Sequence, residues 1–284
     1  MFFCDGNIFQ SWLLNQSPGQ WSHLLELTYS KYLKLDELLN AQKPLSPGEH
    51  DEMLFVVIHQ SYELWFKQIL HESRLLNHSL SEGGGFQAMS TIKRMLVILK
   101  TIVGQIDILE TMTPLSFASF RSRLDNSSGF QSAQFRQLEF YLGKKDSDKL
   151  HHYEQGSPEH LGLESALKAP TLFDHFLQFL SKSYGVPVPV DILDRDKSIV
   201  YKGDDRLLPL LLNIYQNNPS GKILCELLVD FDEGFQEWRY RHVKMVERTI
   251  GFKKGTGGSS GVSYLQKSLF QPAFPDLWNV RNSF

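Results

Sequence analysis

The 284-residue chain is 42% hydrophobic and 21% charged, with a formal net charge of −3, enough for one sizeable core and close to the upper limit for a single one. Near-balanced charge argues against a nucleic-acid or anionic-membrane partner, and no apolar run approaches the roughly 20 residues that span a bilayer. Two cysteines, Cys4 and Cys225, cannot make a disulfide framework, and the opening MFFCDGNIFQSW lacks a basic leader; both fit a reducing cytoplasm.

Residues 1–25 are aromatic-rich and irregular, with Phe2, Phe3, Phe9, Trp12 and Trp21 among polar residues. Exposed aromatics are costly, so this segment is expected to dock on something, such as a neighbouring subunit. Residues 28–42 carry Tyr29, Tyr32, Leu35, Leu38 and Leu39 at helical spacing, and Pro44, Pro47 and Gly48 then break the chain. From Glu49 an acidic start leads into a long apolar helix with Leu54, Phe55, Ile58, Tyr62, Trp65 and Phe66 in period, uninterrupted until Gly83. A second helix is predicted from about Gln87 to Glu110. After Pro114, two helical pieces flank a polar turn at 125–129.

Residues 143–165 read as a polar surface connection with His151, His152 and His160. Helical pattern returns at 166–183, stops at Pro187 and Pro189, and resumes after about Arg206. The last long helix is placed at roughly 222–250, and a short aromatic tail follows a glycine-rich loop. Strand-like alternation is scarce. The expected fold is all-α, one domain of packed long helices over residues 1–284.

Three stretches can carry chemistry. In the last helix, Leu228, Phe231, Phe235, Trp238, His242, Met245 and Thr249 recur every three or four residues as one inward stripe. A histidine there is either a core residue bonded to a carbonyl or an axial haem ligand; without a CxxCH motif, any haem is held non-covalently. The loop GTGGSSG at 255–261 is neither a Walker A loop nor a Rossmann turn. It is either a linker or a lid whose amides and Thr256 hydroxyl close over a polar group.

His59 lies in the most apolar helix and shares a face with Phe55, Tyr62 and Phe66. With Glu63 it has metal-ligand spacing, but no Glu-x-x-His accompanies it. His50-Asp51-Glu52 has the His-x-Glu of a facial iron triad, at a helix start where charge needs no special reason. Arg121 falls on a face with Phe117, Phe120 and Leu124, either snorkelling to solvent or pairing with a carboxylate.

Taken together, MLFVVIHQSYELWFKQILHE, SFASFRSRLDNSSGFQSAQFR and FQEWRYRHVKMVERTIGFKKGTGGSSGV resemble the signature regions of the tryptophan 2,3-dioxygenase family. TYSKYLKLDELLNAQKPLS, ILETMTP and KAPTLFDHFLQFL extend the resemblance over most of the chain from about Tyr29. It implies an all-α haem protein that adds both atoms of O2 across the indole C2–C3 bond of L-tryptophan. By motif match, His242 is the expected axial ligand of ferrous haem b, and Ser128 lies near the haem edge. His59 stands beside the indole nitrogen, Phe55 packs on the indole, Arg121 pairs with the substrate carboxylate, and Thr256 meets the ammonium and carboxylate groups. Phe117 belongs to the pocket; some bacterial members have Tyr there, so one hydroxyl is lost.

The resemblance further implies a cytoplasmic homotetramer in which Tyr29, Tyr32 and Leu33 complete a neighbour's pocket, with no nucleic-acid or membrane partner. The alternatives are a related haem mono-oxygenase acting on a modified tryptophan, a haem sensor, and a haem-free helical scaffold.

Overall fold

The computed structural model describes residues 27–124, 127, 129–253, 261–266 and 269–284. The chain divides into two compact units with their boundary between Lys43 and Pro44. Among the described residues every regular element is helical, and none of the helices is long and apolar enough to cross a membrane.

The N-terminal unit contributes α1, Tyr29–Leu33, and α2, Leu35–Leu39. The spacing over 28–42 predicts one helix; the structure breaks it at Lys34, whose φ of 51° ends α1 and begins α2. Neither piece buries a residue, so no packing enforces a continuous rod, and isolated helices this short are marginal.

The second unit is built on three long helices: α3, His50–Ser81; α4, Gly85–Leu109; and, near the end of the chain, Pro219–Ile250. Between them lie α5, Pro114–Arg121; α6, Ala133–Tyr141; α7, Pro158–Lys168; α8, Leu172–Tyr184; α9, Val190–Leu193; and α10, Leu208–Asn217. The last long helix is therefore α11; α12, Val262–Gln266, and α13, Pro275–Asn279, follow it. Helix α4 packs against both α3 and α11, and α3 also packs against α6 and α8. Close approach is needed where α4 meets α11: a Cβ on Gly234 would sit 3.0 Å from Leu99, so glycine lets the two rods seat together.

The core follows the predicted stripes. Ile58, Tyr62, Phe66 and Ile69 of α3 are buried, as are Met95, Leu99 and Ile102 of α4 and Leu228, Phe231 and Phe235 of α11. Boundaries are set by capping. Thr113, Ser132, Ser157 and Thr171 each accept a backbone N–H at the start of α5, α6, α7 and α8, satisfying donors that the helix leaves open.

The stretch 143–165 departs from the expected surface connection. It holds a 3-10 turn at Ser147–His152 and most of α7. Helix α7 buries only Leu163 and Leu167, against Phe140 in a small satellite cluster. An apolar stripe that narrow gives little periodic signal, although Ser157-Pro158-Glu159 is a usable helix-start motif.

Two acidic residues organise the start of α3, and one of them reaches the helix that carries Arg121. Glu52, buried near the start of α3, accepts the N–H groups of Leu45 and Ser46 at 2.7 and 2.6 Å. Glu49, one residue before α3, accepts the hydroxyl of Ser119 on α5. The start of α3 is thereby tied to the last turn of α5, two residues from Arg121.

Candidate active site

One cleft in the second unit gathers Phe55 and His59 of α3, Phe117 and Arg121 of α5, and His242 of α11. It encloses about 1560 Å³ of empty space when the solvent at its open mouth is counted in. Aromatic rings stand among aliphatic and polar side chains on its walls. Phe55 lies 5.7 Å from Phe117 and 5.8 Å from Phe120 between ring centroids. Phe66, Phe135 and Trp238 form a connected group deeper in.

His59 is half-buried, one helical turn after Phe55, and its Nδ1 stands 2.7 Å from the Phe55 carbonyl oxygen. A carbonyl only accepts, so Nδ1 carries the proton and Nε2 keeps a lone pair. Burial lowers the His59 pKa; the bond to Phe55 and the nearby Glu63 carboxylate oppose that. Glu63 also lines the cleft and is held by Gln134, whose amide donates to its carboxylate at 2.8 Å.

His242 stacks on Trp238, with centroids 5.3 Å apart and planes 13° from parallel. No hydrogen bond engages its ring nitrogens among the described residues. Burial lowers its pKa to about 4, helped by the charges of Arg239, His59 and Arg136. The imidazole is therefore neutral at physiological pH, the form that ligates a metal.

Not every expected site residue falls here. Thr256 and Ser128 lie outside the described residues. Tyr29, Tyr32 and Leu33 belong to α1 in the N-terminal unit, with exposed side chains. The candidate iron triad takes other work: His50 is fully exposed beside Asp51, and Glu52 holds backbone amides. Among the described residues no three His, Cys, Asp or Glu side chains converge as a metal site. Sequence reasoning missed Arg136 and Arg239, two further cleft-lining arginines. It also gave no site role to Tyr62 and Trp238, and weighed Glu63 only as a metal partner of His59; all three line the cleft.

Comparison with known proteins bears on this constellation. The family model described as tryptophan 2,3-dioxygenase matches residues 16–171 and 191–284. Proteins of that name from Anaeromyxobacter sp. (strain K), Herpetosiphon aurantiacus and Kineococcus radiotolerans are 52%, 53% and 45% identical to the chain. The alignments cover 92%, 90% and 90% of this chain and 98%, 97% and 91% of those proteins. The chain belongs to the tryptophan 2,3-dioxygenase family. It is thereby placed among oxidoreductases, and the helical fold agrees with the one the motifs implied.

The haem that this family implies can be tested against the residues present. In His242 the cleft offers a neutral imidazole on a long helix with no hydrogen bond to its ring among the described residues, and no cluster of ligands around it, as an axial haem site requires. Flat aromatic rings, among them Phe55, Phe117 and Trp238, stand on its walls. Tyr62 and Trp238 line the cleft, and their Oη and Nε1 are buried without a hydrogen-bond partner among the described residues, an unmet demand of the kind that a bound group can satisfy. The residues fit the group.

Proposed function

We propose that the protein is a haem-dependent dioxygenase that converts L-tryptophan and O2 to N-formylkynurenine. The observation that carries this reading is the meeting of His59, Arg121 and His242, from three separate helices, on one aromatic cleft. His242 would hold the iron of haem b. Bound haem supplies the activation of dioxygen at ferrous iron. Both oxygen atoms end in the one product, so no co-reductant is consumed.

The chain's own residues then position the substrate. The lone pair on His59 Nε2 accepts the indole N–H, a direction fixed by the bond from Nδ1 to Phe55. Phe55, with Phe117 beside it, offers a ring surface for the indole to pack on. Arg121 pairs with the substrate carboxylate, and Thr256 meets the ammonium and carboxylate groups. A buried carboxylate without such a partner is strongly disfavoured, which selects the amino acid over indole. Ser128 is assigned to the haem edge. The apolar walls keep water from the reacting ring.

The same reading makes the protein a cytoplasmic homotetramer in which Tyr29, Tyr32 and Leu33 close a neighbour's cleft. Their exposure within the single chain supports this; sedimentation of the purified protein tests it.

The deciding experiment is anaerobic reduction of the haem-loaded protein, then addition of L-tryptophan and air, with the product weighed. A mass gain of two oxygens is expected. A gain of one would move the protein to mono-oxygenation, and no reaction with haem bound would refute the reading.

A further inference from the structure

The two acidic residues that open α3 do not do the work usual at their positions. Glu49 is the N-cap, where a side-chain oxygen ordinarily accepts an N–H of the first turn, yet its side chain makes no such bond. Glu52, three residues on, would complete a capping box by turning back to the Glu49 N–H. It holds Leu45 and Ser46 instead, and the Glu49 N–H goes to the Ser46 carbonyl oxygen at 2.9 Å. The Glu49 carboxylate is left to accept the hydroxyl of Ser119, seventy residues later on α5. That hydroxyl also has the Ser116 carbonyl within 2.8 Å, the common local acceptor for a helical serine; the ionised acceptor makes the stronger bond. Helix α5 has only eight residues, and Arg121 is the last of them, so its own hydrogen bonds give it little rigidity. Thr113 closes its start and Phe120, fully buried, seats one face. Ser119 provides a hold on another face.

We propose that Glu49 and Ser119 are positioning residues for Arg121, and that their bond sets the span between Arg121 and His59 against which the substrate is measured. The inference rests on the tryptophan reading above. In that reading the substrate is held at two points, its indole N–H at His59 of α3 and its carboxylate at Arg121 of α5. The two points keep a fixed separation only if the two helices keep a fixed register. The rings of Phe55, Phe117 and Phe120 hold the helices together, but apolar contact is non-directional and permits a roll. A charge-assisted hydrogen bond has a direction. Successive helical residues lie about 100° apart, so Ser119 and Arg121 stand about 200° apart on nearly opposite sides of α5. A roll that draws Ser119 away from Glu49 therefore carries Arg121 the other way. Glu49 begins the helix that bears Phe55 and His59, so the bond registers the carboxylate partner against the indole partner. Among the described residues neither Glu49 nor Ser119 lines the cleft, so both act through Arg121, whose planar fork tolerates little misplacement against a carboxylate.

The test uses the full-length, haem-loaded protein, with steady-state kinetics for L-tryptophan and difference spectra for tryptamine, which has the indole and no carboxylate. Ser119→Ala should raise KM for L-tryptophan about ten-fold while kcat changes by less than about two-fold. Its affinity for tryptamine should equal that of the wild type. Ser119→Thr keeps the hydroxyl and should restore KM, and Glu49→Gln keeps an acceptor without the charge and should fall between. In an Arg121→Ala background Ser119→Ala should add nothing, because the group it positions is gone. An unchanged KM in Ser119→Ala overturns the proposal. Equal weakening of tryptophan and tryptamine overturns it as well, since that marks a general loosening of the cleft, and so does an undiminished effect of Ser119→Ala in the Arg121→Ala background. Where Ser119→Ala fails to fold by circular dichroism, Glu49→Gln decides by the same comparison. If the haem-loaded wild type neither binds nor converts tryptophan, the functional reading itself has failed, a result distinct from all of these.

Discussion

His59 donates its Nδ1 proton to the carbonyl oxygen of Phe55, 2.7 Å away, and the two rings stand 4.0 Å apart. One bond within a single helical turn thus fixes the tautomer of the histidine and couples its ring to the aromatic wall. The half of the imidazole left over can only accept a hydrogen bond while it stays unprotonated.

That arrangement sets a pH dependence. Burial lowers the His59 pKa below the ordinary 6.5, so Nε2 keeps its lone pair at neutral pH. Protonation removes the acceptor, so kcat/KM should hold steady above the lowered pKa and fall as pH drops through it. The acid limb is expected below pH 6.5. Glu63→Gln removes a charge that raises this pKa and should move the limb further to acid. A limb above pH 6.5 in the parent protein would contradict the assignment.

Replacing His59 by alanine should reduce turnover by about a hundred-fold, in the usual range for a lost proton-handling group, while haem content stays intact. Steady-state rates normalised to haem absorbance decide it; full activity removes His59 from the reaction.

Arg121→Ala should act on binding. The lost charge-assisted contact is worth about 2–3 kcal/mol, which raises KM for tryptophan by roughly 30- to 150-fold. Haem content should change little by comparison. An unchanged KM refutes the carboxylate role.

His242→Ala should abolish the histidine-ligated ferrous spectrum. The same residue should mark the haem-free chain. Its folded pKa of about 4 lies below the unfolded 6.5, so below pH 6.5 the unfolded state takes up the proton first. The stabilisation is present above pH 6.5 and is lost as pH falls towards 4. Between pH 7.5 and pH 5 the wild type should lose about 2 kcal/mol more than His242→Phe, read from urea denaturation.

Asp232 is fully buried in α11 and accepts the N–H groups of Ala273 and Phe274 and the indole N–H of Trp278, at 2.8, 3.2 and 2.9 Å. One carboxylate thereby ties the C-terminal segment to the helix that bears His242. Asp232→Ala strands one buried and two partly buried donors and should cost about 3–5 kcal/mol of stability. Limited proteolysis should then cut first within 273–284; a denaturation midpoint equal to the parent's would show that the contact is dispensable.

The helical class, the three long helices and the inward faces of His59 and His242 were legible from spacing alone, because a 3.6-residue period records which side of a helix meets the core. The motifs around Phe55, Phe117 and Arg121 were legible by resemblance. Helix α7 was not, because its buried stripe is only Leu163 and Leu167 and its surface is polar. The break at Lys34 was not, because the spacing of 28–42 reports periodicity and not whether anything packs against it.

The Arg136–Glu139–Arg239 triad shows where local pattern ends. In sequence, Arg136 and Glu139 are an i,i+3 pair of the kind that ordinarily lies on a solvated face. Arg239 comes one hundred positions after Glu139. The sequence by itself determined the periodicities, the caps and the family motifs, all of which depend on neighbours along the chain. Only the tertiary structure decided that α6 and α11 meet at one carboxylate, and that Tyr62 and Trp238 line the same cleft. Those relationships depend on how separate helices pack, and no spacing within a single helix encodes them.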